Sequence, residues 1–127
     1  MKLSEYEFER LEMFLTAEHG WDGGEGKATT RKHVRAALRV LQLIKGAGIP
    51  GPSLCMGSDG GIALIYQSSE AEIYITLEIL DSLYYGAMVF EGDDGIQYGW
   101  FPLDVLPQFV LDGIQKVRSQ NVVQDEA

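Results

Sequence analysis

The sequence has a single cysteine, Cys55, in 127 residues. That excludes an internal disulfide and any multi-cysteine zinc site, and it suits a reducing, cytoplasmic setting. No apolar run approaches the ~20 residues needed to span a bilayer. The opening Met1-Lys-Leu-Ser-Glu-Tyr-Glu7 lacks the apolar stretch of a signal peptide, so no membrane association is expected. Basic residues are also scarce. There are 10 against 19 acidic ones, for a net charge of −9, which argues against nonspecific binding to nucleic acid or an anionic membrane. Only His19 and His33 are available as imidazole bases, so a Ser, Cys or Thr nucleophile would have few partners.

Apolar residues make up 46% of the chain, enough for one domain over residues 1–127 with its own core; residues 120–127 read as a flexible polar tail. The charge is unevenly spread. Lys27, Arg31, Lys32, Arg35, Arg39 and Lys45 fall in a stretch with no Asp or Glu, which leaves 4 basic residues (10 − 6) against 19 acidic ones elsewhere. The expectation is one cationic helix on an anionic body.

The chain centres on alternating residues. Ile73, Ile75, Leu77 and Ile79 fall on one face of a strand, and Glu72, Tyr74, Thr76 and Glu78 on the other, so the sheet has one apolar and one polar side. Before it, Ser4-Glu-Tyr-Glu7 has the form of a capping box, with Leu3 and Phe8 placed for a hydrophobic staple. Phe8, Leu11 and Leu15 then mark the stripe of a first helix from about Glu5 to Glu18. Thr29 or Thr30 caps a second helix to about Lys45, with Val34, Ala37, Leu38, Leu41 and Ile44 inward. Strands follow at Ser53 to Gly57, Ile62 to Gln67, Ala71 to Leu80, Leu83 to Glu91 and Ile96 to Phe101. Asp-Gly-type turns join several of them into an antiparallel meander. Asp104 is read as the cap of a last helix with Pro107 in its first turn and a stripe of Leu106, Val110, Ile114 and Val117. The fold class is α+β: two N-terminal helices, about five antiparallel strands and a C-terminal helix, with the helices on the apolar sheet face.

Gly20-Trp-Asp-Gly23, the helix after it, the short proline-containing connection and Ser58-Asp-Gly-Gly-Ile-Ala-Leu64 leading into Glu72-Ile-Tyr-Ile-Thr-Leu-Glu78 resemble a recurrent group of small bacterial and phage proteins. The shared pattern is GWDG-x-G, a helix, and DGG-I-x-L before an alternating acidic strand. It covers roughly residues 20 to 80. This chain has Glu25-Gly-Lys where Gly-Ala-x-Pro is usual and Tyr66 where Trp is usual. The resemblance implies a prokaryotic or mobile-element setting and supplies no catalytic residue.

Candidate chemistry is thin. No Gly-Lys-Ser/Thr follows the glycines of residues 20–26, so they form no phosphate loop. Cys55 reads as a buried strand residue. Asp93 and Asp94 with Glu91, or Asp22 with Glu25, have the chemistry for a cation, but acidic hairpin tips are usually solvated turns, so no metal and no cofactor is expected. Trp21 is either a plug for its glycine loop or an exposed anchor for a partner, with Asp22 beside it. Glu72, Tyr74, Thr76 and Glu78, with Tyr84 or Tyr85 and Tyr98 nearby, offer either cross-strand stabilisation or a protein-docking surface.

The partner-binding candidates are therefore Trp21, Asp22, Glu72, Tyr74, Glu78, Tyr85 and Tyr98. Arg31, Lys32, Arg35 and Arg39 form a second candidate surface, a solvated helix face or an anion-binding stripe. The preferred reading is a non-enzymatic, acidic protein-binding module that inhibits a basic host protein or complex, of the anti-CRISPR kind, inside a prokaryotic or phage-infected cell. The alternatives are a nucleic-acid-contacting accessory that uses residues 31–39 and a small hydrolase. The oligomeric state stays open, a dimer included.

Overall fold

A computed structural model describes residues 3–18, 20, 21, 24, 26, 28–57, 59–68, 73–79, 83–92 and 95–126, the last seven for backbone only. The elements are α1 (Glu5–Thr16), α2 (Arg31–Gly46), β1 (Ser53–Met56), β2 (Ile62–Gln67), β3 (Ile73–Ile79), β4 (Tyr84–Glu91), β5 (Ile96–Pro102) and α3 (Gln108–Glu126). The strands form one five-stranded antiparallel sheet in chain order, the meander that the turn spacing predicts. All three helices contribute to one core over one face of the sheet: α2 lies over β2 and β3, α3 over β2 to β4, and α1 against α2 and β1. No helix among the described residues is long and apolar enough to cross a membrane.

The core follows from the period of β3. Ile73, Ile75, Leu77 and Ile79 are buried, and the register places Ile62, Leu64 and Tyr66 of β2 and Tyr85, Ala87 and Val89 of β4 on the same side. The α2 stripe of Val34, Ala37, Val40, Leu41 and Ile44 and the α3 stripe of Val110, Ile114 and Val117 close over it.

The α1 capping box is present: the Ser4 hydroxyl accepts from Glu7 N–H, and the Glu7 carboxylate accepts from Ser4 N–H at 2.8 Å. The stripe of this helix is not the expected one. Glu7, Leu11 and Phe14 are buried, while Phe8 and Leu15 are exposed. Leu11 stays inward while its two flanking positions each move back by one residue, a roll of roughly 65° at ~100° per residue, and its causes are polar. Glu7 turns inward to meet Lys45 Nζ at 2.6 Å. Tyr6 and Arg10 turn toward β1, where Leu54 N–H donates to Tyr6 Oη at 3.0 Å and Arg10 Nη2 donates to Leu54 O at 2.8 Å.

The start of α3 also differs from expectation. Pro102 to Val105 form a turn closed by Val105 N–H donating to Pro102 O, and Val110 and Leu111 N–H donate to Pro107 O. The helix thus begins beyond Asp104, which stands exposed in the turn and caps nothing. This turn presents Val105 O to the hydroxyl of Tyr85, which donates to it from the core. Burial pushes the Tyr85 phenol up to about 12. Tyr85→Phe removes the bond, leaves an acceptor short of its partner and is expected to cost about 1 kcal/mol, read as a lowered urea midpoint.

Candidate functional site: the helix-free face of the sheet

Residues that alternate with the core ones point to the opposite side of the sheet. The register sets them in three rows across the strands. Tyr74, Phe90 and Ile96 form one; Ile65, Thr76, Met88 and Tyr98 the second; Ala63, Glu78, Gly86 and Trp100 the third. The helices contribute their buried stripes to the other side. At the β4–β5 end the face is strongly apolar, with Ile96 62%, Tyr98 60% and Trp100 50% exposed and Tyr84 and Phe90 also exposed. Exposed apolar groups grouped in this way are a recognised mark of interaction surfaces.

Local sequence explains the arrangement. Trp100 lies across β4 because its opposite number is Gly86; a Cβ there would already sit 3.4 Å from the indole carbons Cη2 and Cζ3. Tyr98, two residues earlier on the same face, meets the indole edge-on at a centroid distance of 6.1 Å and 87°. In the middle row, Thr76 is only 6% exposed and its hydroxyl has no hydrogen-bond partner among the described residues.

Electrostatics set the surroundings. From Ser53 to Pro102 the chain contains Asp59, Glu70, Glu72, Glu78, Asp81, Glu91, Asp93 and Asp94 and not one Lys, Arg or His. This stretch of sequence carries only negative charge; among its described members Glu78 stands in the row of Trp100, and Glu91 at the end of β4 pairs with Lys116 of α3.

The sequence candidates divide between surfaces. Tyr74, Glu78 and Tyr98 stand together on the helix-free face. Tyr85 does not: it is fully buried on the helix side, and Tyr84 takes the outward place. Register with β3 decides this, because Ile75 pairs with Val89 and Leu77 with Ala87, which puts odd-numbered β4 residues in the core. Trp21 belongs to the α1–α2 connection rather than to a strand and is 38% exposed. Asp22 and Glu72 lie outside the described residues. Arg31, Lys32, Arg35 and Arg39 are exposed on α2, which packs on the other side of the sheet, and none makes an ion pair with a described carboxylate. His33 is tied to the N-cap of α2, with Nδ1 2.7 Å from Thr30 Oγ1.

Cys55, expected in the core, is half-buried on the helix-free face, since it pairs with Ala63 rather than with a core residue. Among the described residues no three His, Cys, Asp or Glu side chains cluster as metal ligands. A groove of about 730 Å³ between the end of α2 and α3 is lined by Ile49, Leu111, Ile114, Gln115, Arg118 and neighbours, and holds no acid–base pair.

Sequence reasoning missed Ile65, Met88, Phe90, Ile96 and Trp100. The signal was present: Ile96, Tyr98 and Trp100 are spaced i, i+2, i+4, and so are Met88 and Phe90. Comparison with protein-family models, with curated proteins and with solved structures finds no match.

Proposed function

We propose that the chain is a non-enzymatic, acidic protein-binding module whose docking surface is the helix-free sheet face, and that it inhibits a basic, nucleic-acid-handling or host-defence protein by occupying its cationic surface. The observation that carries this reading is an exposed, uncharged aromatic patch on a sheet whose sequence from Ser53 to Pro102 has eight acidic residues and no basic one. Burial of Trp100, Tyr98, Phe90 and Ile96 supplies affinity at about 25 cal/mol per Å² of apolar surface, and the acidic surroundings steer a cationic partner into place. Association should therefore be fast and should slow as salt is raised.

A second reading has one observation in its favour. The α2 cations Arg31, Lys32, Arg35 and Arg39 are exposed and have no ion pair with described carboxylates, as a phosphate-binding stripe requires. The two surfaces lie on opposite sides of the molecule, so one experiment separates them. The tagged full chain is used to capture partners from a prokaryotic lysate, with and without nuclease treatment, followed by salt elution. A stoichiometric basic protein is expected. With that protein purified, Trp100→Ala should weaken binding by about 2 kcal/mol, roughly thirty-fold in Kd, while Arg31→Glu/Arg35→Glu/Arg39→Glu leaves it intact. Capture of nucleic acid alone, lost in the triple variant, would sink the protein-docking reading.

A further inference from the structure

The two edges of the sheet are treated differently. At β1 the outward groups of Leu54 are covered: its N–H is bonded to Tyr6 and its C=O to both Nε and Nη2 of Arg10. At Leu54, in the middle of this short edge, the sheet therefore ends in side chains rather than in open backbone. Among the described residues nothing covers the β5 edge in this way. Glu91 N–H donates to Gly95 O, so that pair is hydrogen-bonded and the antiparallel alternation follows from it. Gln97, Gly99 and Phe101 exchange their bonds with β4. Ile96, Tyr98 and Trp100 turn their N–H and C=O groups outward, and Pro102, which has no N–H to offer, occupies the next outward position.

We infer that β5 is an open pairing edge and that its occupant is β5 of a second copy of this chain, joined antiparallel about a two-fold axis at Gly99. That register is self-complementary. It sets Tyr98 opposite Trp100 of the second copy, so the outward backbone groups of each satisfy the other and aromatic side chains pair across the seam. The strand Ile-Gln-Tyr-Gly-Trp-Phe-Pro carries no charge, so no like charges meet in register although each copy has a net charge of −9. At ~3.3 Å per residue seven residues make a seam about 23 Å long, and the product is one ten-stranded sheet whose helix-free face presents two aromatic patches side by side. The pairing does not depend on the proposed partner and leaves the patch facing outward.

Salt gives the dimer a signature opposite to that of the cationic partner. Two bodies of net charge −9 repel, salt screens the repulsion, and the dimer tightens as salt is raised. The test is sedimentation equilibrium of the full chain over a range of concentration and salt. The wild-type mass should move from monomer to dimer with concentration, more readily at high salt. Tyr98→Pro removes an outward donor while sparing the bonds to β4, and should leave a folded monomer by circular dichroism. Tyr98→Lys keeps the backbone intact and should likewise abolish the dimer, which decides the matter if the proline variant fails to fold. Phe90→Ala, on the face but away from the edge, should keep it. A wild-type chain that stays monomeric throughout, a dimer that survives both Tyr98 variants, or one lost in Phe90→Ala instead would overturn the inference. Tyr98 and Phe90 also belong to the proposed docking patch, so sedimentation is run on the chain alone and its outcomes are read separately from capture of a basic partner.

Discussion

Lys45→Met is expected to lower the free energy of unfolding at neutral pH by about 3 kcal/mol, because it strands a carboxylate that is almost wholly buried. Glu7 is 2% exposed and its Oε1 accepts from both Ser4 N–H and Lys45 Nζ, which joins the first turn of α1 to the last turn of α2. Burial pushes the Glu7 carboxyl up, and the hydrogen bonds from Lys45 and Ser4 more than offset this, holding it below its ordinary value of 4.5. A depressed folded-state pKa means that the native pair contributes stability above the unfolded carboxyl range and loses it as pH falls through the lower folded value. Without Lys45 the largest of the lowering causes is gone while burial still pushes the carboxyl up. The carboxyl then takes up a proton more readily than in the intact pair, so the deficit of the variant should shrink on acidification. Urea melts of both chains at several pH values read this directly. A deficit that is the same at neutral and acid pH would mean that Lys45 acts by packing alone. Adding Glu7→Gln to Lys45→Met should recover part of the loss, since a neutral amide is cheaper to bury than an unpaired charge.

Ile75→Ala should destabilise the chain by about 2–5 kcal/mol, the usual cost of emptying a filled core position. Ile75 has no exposed surface and lies on the central strand beneath α3. The helix comes close there because Gly113 has no side chain: a Cβ on it would stand 3.1 Å from both Ile75 Cδ1 and Val89 Cγ1. For the same reason Gly113→Leu should cost about 1–3 kcal/mol by overpacking. The two changes are complementary in volume, so the double variant should lose less than the sum of the singles, by a coupling of about 1 kcal/mol. Strict additivity in urea unfolding would show that α3 does not seat against Ile75. The contrast with the helix-free face is direct. Trp100 is half exposed and rests on Gly86, so its truncation should affect partner binding far more than folding.

Much of this architecture was legible before the coordinates. The alternation of β3 marked both faces of the sheet, Ser4 and Glu7 marked the start of α1, Thr29 or Thr30 the start of α2, where Thr30 proves to be the cap, and the glycine-bearing turns the hairpins. These signals are local: a cap, a period or a turn depends on residues within a few positions of each other. The candidate site was half legible. Tyr74, Glu78 and Tyr98 came from strand period alone, whereas Tyr85 was placed on the wrong face, because Tyr84-Tyr85 opens a strand that is apolar on both sides and so has no preferred orientation of its own.

What the sequence determined by itself, then, was the class and order of the elements, the apolar side of β3 and the surplus of negative charge around the strands. The tertiary structure alone decided three further matters. Pairing with β3 turned Tyr85 into the core and left Tyr84 out, because register passes the orientation of one strand to the next. The inward turn of Glu7 toward Lys45 rolled α1 and exposed Phe8 and Leu15. All three helices packed on one side of a sheet whose other side is also apolar, and this left Phe90, Ile96, Tyr98 and Trp100 uncovered. Period describes a strand's two faces, but which of two apolar faces is covered depends on where distant helices come to rest.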